Sequence, residues 1–214
     1  DGGRLAIGSA FQVKVWAVNA TGVPIFLDAA SHYNGVVQSV AWNHDGTRLA
    51  SGSNSWGCMV NCSDDGTLKV WAVSGEGTLS LLYATLDAER AHTQSVTSVA
   101  WNHDGSRLAS GSKDRTVKVW AVSTAGALSL LATLDHPSHE VRVSAVAWNH
   151  DGSRLASGST NGVVRVFRLS VANRLLLNRA TISGCTAKQG GASFAQPGGD
   201  GAYAEIWSVE ARNS

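Results

Sequence analysis

His92, Ser110, Ser112 and Asp114 bring together, within one short stretch, the residue types of a base, a nucleophile and an orienting carboxylate. The same types return as His32, Ser51, Ser53 and Asp65, and in part as His139, Ser157 and Ser159. A hydrolytic triad occurs once in a chain, whereas a constellation that recurs at a fixed interval behaves as a folding element. The expectation is therefore a structural role and no catalytic residue. Cys58 and Cys62 form a C-x3-C pair, the spacing of half a zinc site. No second pair accompanies them and Cys185 is distant, so they read as two free thiols, with no metal and no cofactor. A metal- or redox-active role for this pair is the alternative.

The interval that organises these residues is a repeat. "VAWNHDGSRLASGS" occurs at Val99–Ser112 and again at Val146–Ser159, and a copy at Val40–Ser53 differs only at Thr47. One aromatic position falls at Trp42, Trp101 and Trp148; a second falls at Trp16, Trp71, Trp120 and Phe167. Runs such as "SVTSVAW" and "TVKVWAV" are rich in β-branched and aromatic residues and predict strands. The Asn-His-Asp-Gly stretch between the first two runs is a tight-turn signal, since Asn, Asp and Gly tolerate positive φ. Its His44, His103 and His150 read as solvent-facing turn residues. "LASGS" is the second strand, "TVKVWAV" the third, and "LSLLATLDH" or "LSLLYATLDA" the fourth. Four antiparallel strands in about 45 residues fit one blade of a radial repeat, and a lone blade must stack on neighbours to cover its faces.

Composition bounds the function. Seventeen basic and sixteen acidic residues leave a net charge of +1, which supplies no broad basic field for nucleic acid or anionic lipid. No apolar run approaches the roughly 20 residues of a membrane span. Three cysteines in 214 residues make no disulfide framework, which places the chain in a reducing compartment, cytoplasm or nucleus.

The pattern of a His followed by "VxSVAW…DGxxLASGSxDxTVKVW" resembles the WD-repeat β-propeller family, over residues 1 to about 180. The dipeptides depart from the family's: Gly-His becomes Ser31-His32, Ala91-His92 and Ser138-His139, and Trp-Asp becomes Trp-Ala. The resemblance implies an all-β WD-repeat β-propeller of about four to five four-stranded blades, an incomplete ring within the family's range of about 4–8. Residues 1–30 read as a partial blade lacking its inner strand, 31–90 as a blade with a ten-residue insert, and 91–137 and 138–180 as further blades. Residues 181–214 read as a degenerate Gly-rich segment with a terminal strand. Missing blades would come from a longer chain or a partner chain.

The family's hydrogen-bonded His, Ser or Thr, Asp, Trp chain is carried over by position. Unit three supplies His92, Ser110 or Ser112, Asp114 and Trp120; unit two supplies His32, Ser51 or Ser53, Asp65 and Trp71. Unit four offers His139 and Ser157 or Ser159, but Asn161 and Phe167 replace the Asp and the Trp. The opening unit has Ser9 and Trp16 without a matching His or Asp. The resemblance also implies a non-enzymatic scaffold whose partners are other proteins. Trp56 and Met59 in the insert, and Lys113 and Arg115 in a turn that varies between otherwise identical units, are the expected contacts.

Overall fold

The computed structural model describes residues 3–54, 66–85, 92–136, 142–169 and 175–182. Among these there is no helix, and so none long and apolar enough to cross a membrane. The strands are β1 (Arg4–Val18), β2 (Pro24–Trp42), β3 (Arg48–Ser53), β4 (Leu68–Val73), β5 (Leu79–Ala84), β6 (Val96–Trp101) and β7 (Arg107–Ser112). They continue as β8 (Thr116–Val122), β9 (Leu128–Asp135), β10 (Val143–Trp148), β11 (Arg154–Ser159), β12 (Val164–Leu169) and β13 (Leu175–Ile182).

Two antiparallel sheets, β6-β7-β8-β9 and β10-β11-β12-β13, are complete blades. The third sheet, β1-β2-β3-β4-β5, holds one complete blade and three strands of another. Its long strand β2 pairs with β1 through Pro24–Ser31 and with β3 through Val37–Trp42, so one strand serves as outer strand of blade one and inner strand of blade two. β1 contains its own reversal: Phe11 stands at φ 65°, and Val18 N–H returns to Gly3 O at 2.7 Å. Blade one thus has its second, third and fourth strands among the described residues.

The repeated text produces the repeated contact. Ala50, Leu68 and Val70 of blade two meet Val96, Val99, Leu108 and Trp120 of blade three. Ala109, Val117 and Val119 of blade three then meet Val143, Val146, Leu155 and Phe167 of blade four. Val13 and Val15 of blade one meet Val37, Leu49 and Trp71 in the same way. Alternation along each strand sends one residue set to each face, and every internal face is covered by the next sheet. Leu49, Leu108 and Leu155 are 0% exposed for this reason, while Leu5, at the same place in blade one, is 44% exposed.

Polar contacts stitch the inner strands. Trp101 Nε1–H donates to Ala41 O and Trp148 Nε1–H to Ala100 O, both at 3.1 Å. Val99 N–H donates to Ser39 Oγ and Val146 N–H to Ser98 Oγ, also at 3.1 Å. Trp42 is the sister of these tryptophans, and its buried Nε1 finds no acceptor among the described residues. The acceptors of Trp101 and Trp148, Ala41 O and Ala100 O, each stand on the inner strand of the preceding blade. At the outer end of the same face, the Arg48 guanidinium reaches Ser123 O at 3.0 Å and also Thr124 O, a clasp from blade two to blade three.

Candidate functional site

The His–Ser–Asp–Trp constellation assembles in blade three around Ser110. His92 Nε2 lies 2.7 Å from Ser110 Oγ, and Trp120 Nε1–H donates to the same oxygen at 2.9 Å. His92 Nδ1 is 2.9 Å from Asp114 Oδ2, which also accepts Thr93 N–H. Asp114 Oδ1 accepts Thr116 N–H at 2.9 Å and its hydroxyl at 2.7 Å. Burial alone would raise the Asp114 carboxyl, but the hydrogen bond and charge of His92, with the hydrogen bonds from the Thr116 hydroxyl and N–H, hold it at about 2. Ser112 is not in this chain; its Oγ donates to Gln94 O and accepts Asp114 N–H, each at 3.0 Å, and so shapes the turn.

With Ser110, His92 and Trp120 all buried, the serine oxygen is enclosed by an indole and an imidazole and faces no cleft. That geometry ties two strands, the turn between them and the loop before the first strand together; it offers no substrate an approach to the hydroxyl.

Blade two repeats the arrangement. His32 Nε2 is 3.0 Å from Ser51 Oγ, and Trp71 Nε1–H donates to Ser51 Oγ at 2.9 Å, while Ser53 Oγ points to Thr67 O. Asp65 lies outside the described residues, and His32 Nδ1 is buried with no partner among those described. Burial, and next the Lys69 charge, push the His32 imidazole down to about 4.

In blade four the imidazole on Ser157 belongs to His136, at 2.8 Å, where the spacing pointed to His139. His139 matches His92 in standing four residues before the first strand. Unit four, however, has a longer approach, and β9 runs to Asp135, so that His136 N–H bonds Arg115 O and the ring is delivered over Ser157. His139 itself is outside the described residues. Asn161 turns inward on its own loop, accepting Ser159 Oγ–H at 2.7 Å and Val163 N–H at 3.2 Å, and Phe167 brings no donor to Ser157. Burial, then the charge of Arg165, lower the His136 imidazole to about 4.

One face of the sheets collects the loops that carry these histidines and the turns between second and third strands. Asn54 N–H bonds Val36 O, Lys113 N–H bonds Ser95 O, and Thr160 N–H bonds Arg142 O, at 3.1, 3.0 and 2.9 Å. The three turns begin with three different side chains on one backbone frame. Arg115 is exposed at φ 73°, where Asp114 anchors the turn. The insert leaves from this face, since Asn54 is bonded to Val36 and Gly66 to His92. Trp56, Met59, Cys58 and Cys62 lie outside the described residues, as does Cys185. Among the described residues no three His, Cys, Asp or Glu groups converge to hold a metal ion.

The family model described as "WD domain, G-beta repeat" matches residues 27–72, 83–121 and 128–168, more than half of the chain. The chain belongs to the WD40 family. Its WD40 blades are similar to those of Chaetomium thermophilum Sqt1, with a TM-score of 0.64 at 23% identity over 80% of this chain and 42% of that one. A chain in the crystal structure of a mitotic checkpoint complex is similar with a TM-score of 0.59 at 26% identity, over 81% of this chain and 45% of that one. In sequence, the chain is 36% identical to Protein HIRA of Dictyostelium discoideum over 91 residues, 38% of this chain and 7% of HIRA. It therefore spans less than half the length of each of these relatives. WD40 propellers generally serve as non-enzymatic scaffolds that bind other proteins.

Proposed function

We propose that this chain is a WD40 scaffold that holds protein partners, and that the contacts lie on the face built from the His-bearing loops. The supporting observation is the contrast between a fixed frame and varied turn side chains. Asn54, Lys113 and Thr160 occupy one backbone position and make the same hydrogen bond, yet share no chemistry beyond it. Lys113 and Arg115 then offer a basic turn on blade three, and the residues that flank the insert carrying Trp56 and Met59, Asn54 and Gly66, are bonded to Val36 and His92 on the same face. Aromatic, Met and Arg side chains are the usual anchors of an interface. Proteins presenting acidic and apolar segments are the partners this face suits, in the cytoplasm or nucleus.

The test is affinity capture from a cellular extract with quantified recovery, using the parent chain, a Lys113→Glu/Arg115→Asn variant and a chain lacking residues 55–63. Asn accepts the positive φ at position 115, so the turn survives while the charge is lost. The reading expects one set of proteins to drop from both variants. Undiminished recovery of every captured protein by both would refute the reading.

A further inference from the structure

The face opposite the His-bearing loops holds a second histidine set, and its arrangement goes beyond the scaffold reading. His44, His103 and His150 are exposed, one in each Asn-His-Asp-Gly turn of blades two, three and four. Their rings stand in file: His44 to His103 at 4.1 Å between centroids and His103 to His150 at 4.6 Å, tilted by 45° and 51°. No hydrogen bond within the described residues engages their ring nitrogens.

The turn fixes where each ring stands. Asn43, Asn102 and Asn149 Oδ1 each accept the N–H of the arginine five residues on, at 2.8 Å. Asp45, Asp104 and Asp151 Oδ1 each accept the N–H of the following Thr or Ser at 2.7–2.8 Å. Gly46, Gly105 and Gly152 close the turns at φ 69°, 71° and 68°. The turns also touch: a Cβ at Gly152 would lie 3.4 Å from Asn102 Nδ2, and one at Gly105 3.8 Å from Asn43 Nδ2. Three copies of one rigid turn, set side by side, therefore present three imidazoles in a row.

We propose that this row is a binding site for a borderline divalent transition ion, held by two neighbouring imidazoles at a time, with His103 common to both pairs. Imidazole is the preferred ligand of Cu2+, Ni2+ and Zn2+, and is passed over by Mg2+ and Ca2+ in favour of oxygen. Two imidazoles bound to one ion at about 2.0–2.1 Å have ring centroids roughly 4.5–5.5 Å apart; the His103–His150 spacing of 4.6 Å falls in that range, and the His44–His103 spacing of 4.1 Å must open slightly to reach it. Exposed side chains reach that geometry by small χ rotations, and water completes the coordination. Oδ1 of each turn carboxylate already accepts the N–H of Thr47, Ser106 or Ser153, which leaves the imidazoles as the side chains that the turn itself does not use.

Calorimetric titration of thiol-alkylated protein with Ni2+ tests this, with Mg2+ as the control and circular dichroism confirming the fold of each variant. Alkylation removes Cys58, Cys62 and Cys185 as competing ligands. Sharing of His103 predicts that His103→Ala weakens Ni2+ binding at least about tenfold, since both pairs are lost. His44→Ala or His150→Ala alone leaves one pair and costs only about twofold, the statistical factor, while the two together match His103→Ala. In the Cu2+ form, electron paramagnetic resonance should show two coordinated nitrogens in the parent and one in His103→Ala. Parent-like Ni2+ affinity in His103→Ala overturns the proposal. So does complete loss on removing either outer histidine alone, which would mean that all three converge.

Discussion

At the scale of single residues, the serine at the centre of each blade decides how much the network contributes. Ser110 Oγ meets both Trp120 and His92, so Ser110→Ala orphans two buried groups and is expected to cost about 2–4 kcal/mol in a urea melt. Trp120→Phe keeps most of the packing and orphans less, about 1–3 kcal/mol. Ser112→Ala loses only turn bonds and should cost less than either. The ordering Ser110 above Ser112 is the informative result, because the two serines occupy one strand face and differ only in what they reach. The buried imidazoles also make stability pH-dependent. His32 and His136 stay neutral down to about 4 in the folded chain but take up protons near 6.5 when unfolded. The unfolded state therefore binds more protons between those values, and stability present above pH 6.5 is lost as pH falls toward 4. Each histidine is worth roughly 2 kcal/mol between pH 8 and pH 5, so a melt at pH 5 should be clearly lower than one at pH 8. Asp114 joins only below its ordinary value near 3.8, losing its contribution as pH falls toward about 2.

At the scale of the strand, glycine in "LASGS" sets how closely sheets approach. A Cβ on Gly111 would stand 2.6 Å from Val143 Cγ1 and 3.0 Å from Val146 Cγ1, and one on Gly52 2.4 Å from Val96 Cγ1. Among the described residues nothing lies within 4 Å of a Cβ on Gly158, the same letter in the same phrase. Gly111→Ala should destabilise by about 1–3 kcal/mol through overpacking against the next sheet. Gly158→Ala should change stability by about 0.5 kcal/mol or less. Thermal melts of the two variants, side by side, check this.

For the whole molecule, position along the arc overrides identity. Leu108 is 0% exposed between sheets and Leu5, its counterpart, is 44% exposed on the outer face of blade one. Leu108→Ala is expected to cost about 2–5 kcal/mol, and Leu5→Ala about 1 kcal/mol or less, in matched denaturant titrations. On the opposite outer face, Val164 is 39% exposed where Leu68 and Val117 are covered by a following sheet. These two surfaces are those that internal blades press together.

The architecture was legible in the sequence because period-two alternation, turn residues and a repeated phrase all act locally. Strand order, the blade-sized unit and the residue types of the network follow from that. Tertiary placement decided the rest. Ser110 and Ser112 are equivalent by spacing, and only the reach of an indole from the neighbouring strand separates them. His136 replaced His139 because the length of β9, not the count of residues before β10, sets which ring arrives over Ser157. The file of His44, His103 and His150 was hidden for the same reason: each is an ordinary turn residue in its own unit. Their proximity exists only once three sheets stand side by side.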